Sequence, residues 1–364
     1  MKTGLYGTRL YINQNYLASN IKHLQHQITG KNIIAMVKAN AYGYGDIKIS
    51  QALQNLGVNF FGVADFEEGI NLRKSGITGR IMVMNPGVQN LEVIINYKLE
   101  PVVYSHAILL KICSIAKKKQ KIPIHIKLNT GMNRWGFNSQ EIPGVIQMLQ
   151  NTKNISISSI YSHFPSAKKS KDDEFSMRQI NDFQNQYIKF SKQFNYKIDT
   201  HIHNSFGLIR NIGSIKKFDF IRVGLALYGG LLDKDLKSIA ELKCSISQIR
   251  YVQKGESIGY GRNFIAQRKV KIGIIPFGYA DGLQRSWGNG ILKFYYNNNL
   301  IPTIGDISMD SCTVDLSAIN DINEGDDIYY FGEKRPIWQL AKELNTIPYE
   351  IMATLSRRIK RIHL

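Results

Sequence analysis

Cysteine is scarce in this chain of 364 residues, which contains only Cys113, Cys244 and Cys312. An odd number of widely spaced cysteines provides neither a disulfide framework nor a CxxC metal pair, and such usage is typical of a reducing compartment. No apolar run approaches the length of a transmembrane helix, and the N-terminal residues lack the long apolar segment of a signal peptide. The sequence therefore predicts a soluble, cytoplasmic protein with no membrane partner.

Acidic residues are also few, because 28 Asp and Glu stand against 47 Lys and Arg and give a formal net charge of +19. The densest basic clusters, 117–121, 167–171 and 356–364, lie far apart and contain no interleaved aromatic residues. No zinc-finger spacing and no RRM-like aromatic motif accompanies them, and charge alone gives only nonspecific affinity for nucleic acid. We therefore expect no nucleic-acid partner, and a general bias towards Ile, Asn and Lys is the simpler reason for the charge.

Apolar, strand-like segments recur through the first two-thirds of the chain and alternate with helix-like segments. The eight strand-like segments are 33–40, 60–65, 81–86, 100–105, 122–129, 155–164, 196–205 and 218–229, and helix-like segments between them include 65–76, 107–120 and 176–194. This alternation predicts an α/β fold, a (β/α)8 TIM-type barrel. A doubly wound sheet is the alternative, but no GxGxxG follows the first strand, which disfavours it.

The pattern changes after about residue 232, where short strand-like runs are broken by glycine and asparagine turns. Such runs predict a mainly antiparallel β domain. We therefore expect a barrel over residues 1–232 and a C-terminal β domain over 233–364, with an N-terminal strand around 5–13 as a candidate addition to that second domain.

Polar residues collect at the C-terminal ends of the predicted barrel strands, where the active residues of such barrels lie. A strand-end lysine is usually a solvated side chain, and a single histidine is more often a structural hydrogen-bonding group than a catalyst. Their joint occurrence at one end of different strands nevertheless predicts a site at that mouth. The candidates are Lys38, Tyr42, Arg134, His163, His201, His203, Asn204, Ser205, Arg222 and Gly224.

The segment "HIHNS" is a candidate metal site, because His201 and His203 share one face of a strand and could bind zinc. Metal-dependent hydrolases on this barrel carry such a pair on the first strand, with further ligands on later strands. Here the pair lies on the seventh predicted strand, so we expect no metal.

Nine segments, taken in order, resemble the alanine racemases, which are pyridoxal-phosphate enzymes built from a barrel and a β domain. The likeness extends over nearly the whole chain. The segments are "VKANAYGYG", "KLNTGMNRWG", "YSHF", "HIHNS", "IRVGLALYG", "IGYGRNF", "PFGYADG", "GDISMDS" and "PYEIMATLSRRIKR". The resemblance implies a homodimeric isomerase with shared active sites that interconverts L-alanine and D-alanine and supplies D-alanine for peptidoglycan.

The resemblance also implies roles for individual residues. Lys38 and Tyr260 would be the two catalytic bases, with Tyr260 reaching the cofactor of the partner subunit. Pyridoxal 5'-phosphate would be bound by Lys38, Tyr42, His163, Asn204, Ser205, Arg222, Gly224, Leu225 and Tyr349. Arg134 and Met309 would contact the amino-acid substrate, and the supporting residues would be Lys127, His201, Tyr279 and Asp310.

The chemistry of racemisation explains why such residue types are needed. The α-proton leaves one face of the substrate and a proton returns to the other, which suits two opposed acid–base groups. A lysine amine begins near pKa 10.4, so the site must lower its pKa for this task. Arg222 would disfavour a proton on the cofactor's ring nitrogen and weaken its electron-sink character, which should limit side reactions such as transamination.

Some positions depart from the family pattern. Lys127 lies where family members often carry a carbamylated lysine, but Asn129 replaces the usual aspartate, so carbamylation is an open question. Lys168 and Asp306 reverse the charges common at the substrate entryway, which predicts an ion pair of swapped polarity across a dimer interface.

Three other functions are weaker alternatives. A racemase of another amino acid, such as serine, would use the same scaffold. A decarboxylase has less need of the second-face base that "IGYG" supplies. A noncatalytic pyridoxal-phosphate carrier has the barrel and the lysine but no β domain, and residues 233–364 argue against it.

Overall fold

A computed structural model describes residues 7–28, 30, 32–117 and 121–364. These residues form two compact units. The barrel unit comprises the described residues within 21–41 and 46–227, and the β unit comprises residues 7–20, 42–45 and 228–364. The division after Leu227 lies five residues before the change of sequence pattern near 232.

The barrel unit is built on a sheet of eight parallel strands within the described residues. After β1 (Thr8–Ile12), which belongs to the β unit, the barrel strands are β2 (Asn32–Met36), β3 (Phe60–Val63), β4 (Arg80–Val83), β5 (Glu100–Val103), β6 (Ile122–Lys127), β7 (Ile155–Tyr161), β8 (Asp199–His201) and β9 (Phe220–Val223). They pair in the order β8-β7-β6-β5-β4-β3-β2-β9. Two backbone hydrogen bonds join the ends, from Asp219 N to Thr200 O at 2.9 Å and from Arg222 N to His203 O at 3.1 Å. The predicted barrel is therefore confirmed.

Helical segments alternate with the barrel strands, as the sequence pattern predicts, although the second of them is a left-handed turn. They are α1 (Gln14–Gln27), α2 (Lys38–Tyr42), α3 (Asp46–Asn55), α4 (Phe66–Lys74), α5 (Leu91–Asn96), α6 (His106–Ala116), α7 (Ile142–Gln150), α8 (Asp173–Ser191) and α9 (Ser205–Ile209). The predicted helices at 65–76, 107–120 and 176–194 correspond to α4, α6 and α8, except that residues 118–120 lie outside the described residues. Asp65 and Ser105 begin α4 and α6 because their side chains accept hydrogen bonds from Glu68 N and Ile108 N.

The barrel strands are apolar because they are buried on both faces. Every residue of β3, β5 and β9 is buried. Some buried barrel residues are nevertheless polar, and these include Glu100, His125, Ser159, His201 and Arg222. The barrel thus contains an internal polar cluster as well as an aliphatic core.

The β unit contains the remaining strands. They are β1, β10 (Ala240–Ser245), β11 (Gln248–Val252), β12 (Ser257–Ile258), β13 (Phe264–Ile265), β14 (Val270–Ile275), β15 (Lys293–Tyr296), β16 (Asn299–Pro302), β17 (Cys312–Asp315), β18 (Asp327–Phe331) and β19 (Lys360–His363). Within the described residues they form sheets in the orders β16-β15-β18-β10-β1-β19, β11-β14-β17 and β12-β13. Pairing is antiparallel except between β1 and β19. Two helices, α10 (Ile337–Glu343) and α11 (Pro348–Ala353), complete the unit.

Among the helices of the described residues, none is both long enough and apolar enough to cross a membrane.

The first barrel strand ends earlier than the sequence suggests, because the backbone turns left-handed directly after it. Ala39, Asn40, Ala41 and Tyr42 have φ values of 52°, 54°, 49° and 56°, so α2 is a left-handed turn and not a continuation of the predicted strand 33–40. Each such non-glycine residue costs about 1–2 kcal/mol.

Local hydrogen bonds hold the left-handed turn in place. Ala39 N donates to Glu68 Oε1 at 2.6 Å, and Ala41 N donates to Val37 O at 2.8 Å. The side chain of Asn40 accepts from Asp46 N at 3.3 Å. The predicted seventh strand, 196–205, is likewise limited to Asp199–His201, because Asn204 begins α9 by accepting a hydrogen bond from Gly207 N.

The left-handed backbone at Ala39 predicts an unusual response to substitution. Ala39→Gly should leave the free energy of unfolding unchanged or raise it by up to about 1 kcal/mol, because glycine adopts this conformation without steric cost. Ala39→Val should lower the free energy of unfolding by about 1 kcal/mol or more, because a β-branched side chain tolerates positive φ poorly. Urea unfolding of the purified proteins measures both changes.

Ala107 provides the matched control, since it is an exposed alanine in the right-handed helix α6. Ala107→Gly should destabilise by about 0.5–1 kcal/mol. The same sign for glycine at positions 39 and 107 would contradict the left-handed turn.

Candidate active site

Lys38 lies directly after β2, at the C-terminal mouth of the barrel, and its side chain is half-buried. Burial lowers the pKa of Lys38 below its usual range, and the charges of Arg134 and Arg222 act in the same direction, whereas Glu68 opposes them. A lowered pKa increases the fraction of neutral amine, which is the nucleophilic and basic form of lysine. Lys38 therefore has the environment that its predicted role requires.

Arg222 of β9 is 3% exposed and is held by acceptors from several strands. Its Nη1 donates to His201 Nδ1 at 2.5 Å, and its Nη2 donates to Ser162 O at 2.7 Å and to His163 Nδ1 at 3.0 Å. Burial lowers its pKa to about 10, which leaves the guanidinium charged at neutral pH. All of these acceptors are uncharged groups or imidazole nitrogens.

The two histidines that contact Arg222 are neutral. Burial, followed by the charge of Arg222, lowers the pKa of His163 and of His201 well below the usual value. A guanidinium has only donors, so each histidine accepts through Nδ1 and carries its proton on Nε2. His163, predicted to bind the cofactor, and His201, predicted as a supporting residue, therefore both act as hydrogen-bond acceptors for Arg222.

Lys127 is almost completely buried at the end of β6. Its Nζ lies 4.8 Å from the centre of the Tyr161 ring, and the guanidinium carbon of Arg222 lies 5.0 Å from the same ring. Burial, together with the charges of Arg222 and Arg134, lowers the pKa of Lys127 to about 7. A substantial fraction of this amine is therefore neutral near pH 7, and the neutral form is the one that reacts with carbon dioxide.

Arg134 is exposed and lies against an aromatic pair that the sequence analysis did not single out. Its guanidinium carbon lies 5.1 Å from the Trp135 ring, and Trp135 stacks on Tyr104 with ring centres 5.4 Å apart. The Tyr104 hydroxyl donates to Asn85 Oδ1 at 2.6 Å. A cation on a stacked aromatic face loses part of its conformational freedom, so this pair restrains the predicted substrate-binding arginine.

Ser205 and Gly224 meet where β9 ends and α9 begins. The Ser205 hydroxyl oxygen accepts from Gly224 N and from Ala226 N, each at 3.2 Å. Its own proton is then free to be donated to an anionic oxygen. Leu225 is buried beside them, whereas Asn204 uses its side chain to begin α9 and to donate to Phe164 O.

Three tyrosines of the β unit form an aromatic cluster. The Tyr42 ring lies 5.8 Å from Tyr349 and 5.1 Å from Tyr228, measured between ring centres. Burial raises the pKa of Tyr349 to about 12, and burial also raises that of Tyr42 far above its usual value. Both phenols therefore stay protonated and can donate hydrogen bonds.

The second predicted base belongs to the β unit and lies on its surface. Tyr260 is 72% exposed and follows Gly259, whose φ is +79°. In the same unit Tyr279 N donates to Ser308 O at 3.0 Å, and Ala280 N donates to Met309 O at 3.0 Å. These bonds bring together the loops that carry the predicted residues Tyr279, Met309 and Asp310.

Arg358 is a further residue of this surface that the sequence analysis did not name. It contacts Asp281 Oδ1 and Asp310 Oδ1, each at 2.6 Å. It thereby fixes Asp310 to the C-terminal motif. The sequence gives little indication of this role, because Arg358 lies in the basic segment 356–364, whose charges are typical of solvent-exposed side chains.

The two residues with reversed charge have partners within their own units. Lys168 Nζ lies 6.0 Å from the Phe206 ring in the barrel unit. Asp306 of the β unit accepts from Asn263, Asn289 and Arg285 at 2.8–3.1 Å. The ion pair across a dimer interface stays a prediction.

The two histidines of "HIHNS" are engaged in hydrogen bonds. His201 uses Nδ1 towards Arg222 and Nε2 towards Ser159 at 2.8 Å, and His203 Nε2 donates to Ile212 O at 2.7 Å. Their hydrogen-bonding pattern is that of structural histidines and positioning groups.

The barrel residues fit pyridoxal phosphate by the chemistry of their donors. A partly desolvated amine suits the aldehyde, a buried guanidinium suits an aromatic ring nitrogen, and the Ser205 hydroxyl suits a phosphate oxygen. A phosphate site after the last two strands is also the common arrangement in such barrels.

Comparisons with known proteins agree with this chemistry. The model of the alanine racemase N-terminal domain matches residues 12–231, and that of the C-terminal domain matches residues 239–363. An alanine racemase of Clostridium novyi (strain NT) is 36% identical over 372 residues, which cover 97% of this chain and 94% of that protein.

Two solved structures are similar over nearly the full length. An alanine racemase of Clostridium difficile 630 has a TM-score of 0.90 and 29% identity, covering 99% of this chain and 96% of that chain. An alanine racemase from Bartonella henselae with covalently bound pyridoxal phosphate has a TM-score of 0.88 and 28% identity, covering 99% and 100%.

The buried amine of Lys127 predicts a pH-dependent stability. The folded protein holds its pKa near 7 against about 10.5 when unfolded, so the unfolded state binds more protons between these values and stability rises with pH across that window. Lys127→Met removes this term. In CO₂-free buffer the variant should be more stable than the natural protein below about pH 7, by on the order of 4 kcal/mol, and the difference should shrink towards pH 10.

Lys121→Met is the matched control, since the exposed Lys121 also lies over a tyrosine ring, that of Tyr196, at 5.6 Å. It should show no such pH dependence. Urea unfolding in bicarbonate buffer adds a second comparison, because a carbamate at Lys127 stabilises only proteins that retain this lysine. A pH-independent difference at position 127 would contradict the burial argument.

Proposed function

Because this chain belongs to the alanine racemase family, whose cofactor is pyridoxal 5'-phosphate, we propose that Lys38 and Tyr260 are the two acid–base groups with which it interconverts L-alanine and D-alanine. The observation that carries the proposal is the desolvated Lys38 amine at the barrel mouth, with a pKa lowered by burial and by two arginines. An amine in this state can attach a cofactor aldehyde and can also exchange a proton with the substrate.

The residues that would hold the cofactor follow from their donors. Lys38 would attach it, Arg222 would lie at its ring nitrogen, and Ser205 would donate to its phosphate. Backbone at Gly224 and Leu225 would bind the same phosphate, with His163 and Asn204 as further cofactor-binding residues of the barrel. Tyr42 and Tyr349 of the β unit keep their predicted role as phosphate ligands, which their protonated phenols support. When bound, the cofactor withdraws electrons from the substrate's α-carbon and makes the α-proton acidic.

The substrate's carboxylate needs a cation, and Arg134 is the candidate. Its stacking against Trp135 restrains the guanidinium while leaving it exposed. Met309 would line the substrate pocket, while Tyr279 and Asp310 would support it. A carbamate on Lys127 would place negative charge next to Arg134 and fix its orientation, and the lowered pKa of Lys127 supports this modification.

Tyr260 would serve the face of the substrate opposite Lys38, as part of a homodimer with shared active sites. Its high exposure supports a role at a subunit interface. We further propose that the domains are the PLP-binding barrel, residues 1–232, and the β domain, residues 233–364, with the N-terminal strand around 5–13 added to the β domain. The pairing of β1 with β10 and β19 supports that addition. The free cysteines support a cytoplasmic enzyme, and supply of D-alanine for cell-wall peptidoglycan is the proposed use of the product.

A single substitution separates the two faces of the reaction. Tyr260→Phe should lower racemisation by about 10²–10⁴-fold, because one of the two proton-transfer groups is lost. Lys38 should still exchange the α-proton of one enantiomer with solvent. Proton NMR of L-alanine and of D-alanine in deuterium oxide would measure both exchange rates, with Tyr251→Phe as the control at an exposed tyrosine of the same unit. Equal loss of exchange for both enantiomers would contradict the two-base proposal.

Mixed dimers test whether Tyr260 acts across the interface. Lys38→Ala and Tyr260→Phe should each be nearly inactive as homodimers. When the two variants are dissociated and reassembled together, each heterodimer regains one site with both bases, which should restore about a quarter of the natural activity at equal amounts. No gain on mixing, with heterodimers confirmed by native mass spectrometry, would place both bases in one subunit.

A further inference from the structure

The barrel contains a continuous line of hydrogen bonds that begins at Arg222 and extends beyond the residues assigned above. His201 Nε2 contacts Ser159 Oγ at 2.8 Å, Ser159 Oγ contacts His125 Nδ1 at 2.7 Å, and His125 Nε2 contacts Glu100 Oε2 at 2.8 Å. Glu100 is 7% exposed, and His125, Ser159 and His201 are fully buried. From Arg222 to Glu100 the line involves five strands, β9, β8, β7, β6 and β5.

The line ends in an ion pair at the other end of the barrel. Glu100 begins β5 and Arg80 begins β4, so both lie at the N-terminal end of the strands, opposite the mouth. Arg80 donates to Glu100 through Nε at 2.9 Å and through Nη2 at 2.8 Å. Burial by itself raises the pKa of Glu100. The hydrogen bonds from His125 and Arg80 outweigh burial and hold this pKa well below its usual range. Glu100 is therefore ionised.

Donor and acceptor rules allow one proton arrangement in which every member is satisfied. Arg222 can only donate, so His201 accepts at Nδ1 and donates from Nε2 to Ser159. The Ser159 hydroxyl then has its proton available for His125 Nδ1. His125 in turn donates from Nε2 to the Glu100 carboxylate. All four bonds point the same way, from the guanidinium to the carboxylate.

This direction matters because Arg222 has no anionic partner of its own. Among the described residues, no carboxylate forms an ion pair with its guanidinium, and its acceptors are carbonyls and neutral imidazoles. Aligned hydrogen bonds polarise one another in a low-dielectric interior. The carboxylate of Glu100 thus strengthens His201 as an acceptor although it lies three hydrogen-bonded groups away from Arg222.

We propose that Glu100, His125 and Ser159 are positioning residues for the racemase reaction, forming with His201 a relay that fixes the orientation of Arg222 and links its charge to a carboxylate at the opposite end of the barrel. The proposal rests on the proposed function for the role of Arg222 at the cofactor. A firmly held Arg222 keeps the cofactor's ring nitrogen unprotonated and so disfavours transamination, in which alanine gives up its amino group to the cofactor's aldehyde carbon and leaves as pyruvate.

The test uses the ratio of two reactions of the holoenzyme. Pyruvate formation reports transamination, and D-alanine formation reports racemisation. Ser159→Ala breaks the relay, and Glu100→Gln removes its charge while keeping its shape. Each should raise the ratio of transamination to racemisation about tenfold, and the double variant should raise it no further than about tenfold, because the two residues act through one path.

Ser245→Ala is the matched control. Ser245 is a buried serine that also bridges an arginine and a carboxylate, accepting from Arg9 at 2.8 Å and donating to Asp327 at 2.8 Å, in the β unit. It should leave the ratio unchanged. A purely structural role for the relay lowers both reactions together and leaves the ratio constant in all variants. That result, or a rise of about a hundredfold in the double variant, would overturn the proposal.

A second measurement reads the protonation of the relay in the natural protein and needs no turnover. Nitrogen-15 NMR of histidine-labelled natural holoenzyme should show His125 and His201 both neutral with the proton on Nε2 at pH 7, with assignments from His125→Gln and His201→Gln. A cationic ring or an Nδ1–H tautomer at either residue would overturn the relay. Failure of the natural enzyme to racemise alanine would instead reject the proposed function and leave this NMR result to judge the relay.

Discussion

The buried guanidinium of Arg222, which has no carboxylate in contact within the described part of the chain, is the constraint around which the barrel interior is arranged. Arg222 is surrounded by acceptors that carry no charge, and two of these are imidazole nitrogens. A cation in this position forces the neighbouring histidines to remain neutral, because a proton on either Nδ1 would remove an acceptor and add a like charge. Burial and the charge of this one residue of β9 therefore act together to keep both histidines neutral.

The backbone after β2 is the second constraint, and it carries a cost. Together, four consecutive non-glycine residues in the left-handed region cost roughly several kcal/mol of conformational free energy, before their hydrogen bonds are counted. Glu68 opposes that cost, since its two carboxylate oxygens accept from Ala39 N and Ala64 N. The same carboxylate acts on the Lys38 amine by raising its pKa. Backbone strain and amine chemistry at the strand end are thus coupled through one side chain.

The sequence predicts the barrel well because parallel strands buried on both faces produce apolar runs, and all eight runs contain a strand. It overestimates the strand at 33–40 because Ala39 and Ala41 give no local sign of a left-handed turn, and Asn40, the one residue of a type that favours positive φ, is a weak signal by itself. The link between Glu100 and His125 is beyond sequence patterns, since it depends on the register of β5 against β6. The sequence does contain one indication of His125: it lies two residues before Lys127 and therefore on the same face of the strand.

The barrel unit collects two lysines, two arginines and His163 at its mouth, and this accumulation explains both its preference for anionic ligands and its reactivity. Lys38, Lys127 and His163 each have a pKa lowered in part by Arg222 and Arg134. A site with this excess of positive charge favours ligands that bear a phosphate and a carboxylate. The same excess makes protonation of the amines costly, and a neutral amine is what attachment of an aldehyde and abstraction of an α-proton require. Ligand preference and nucleophile activation therefore arise from one electrostatic arrangement. The arginines carry the positive charge that attracts anionic ligands, and the same charge lowers the pKa of the lysines and favours their neutral form.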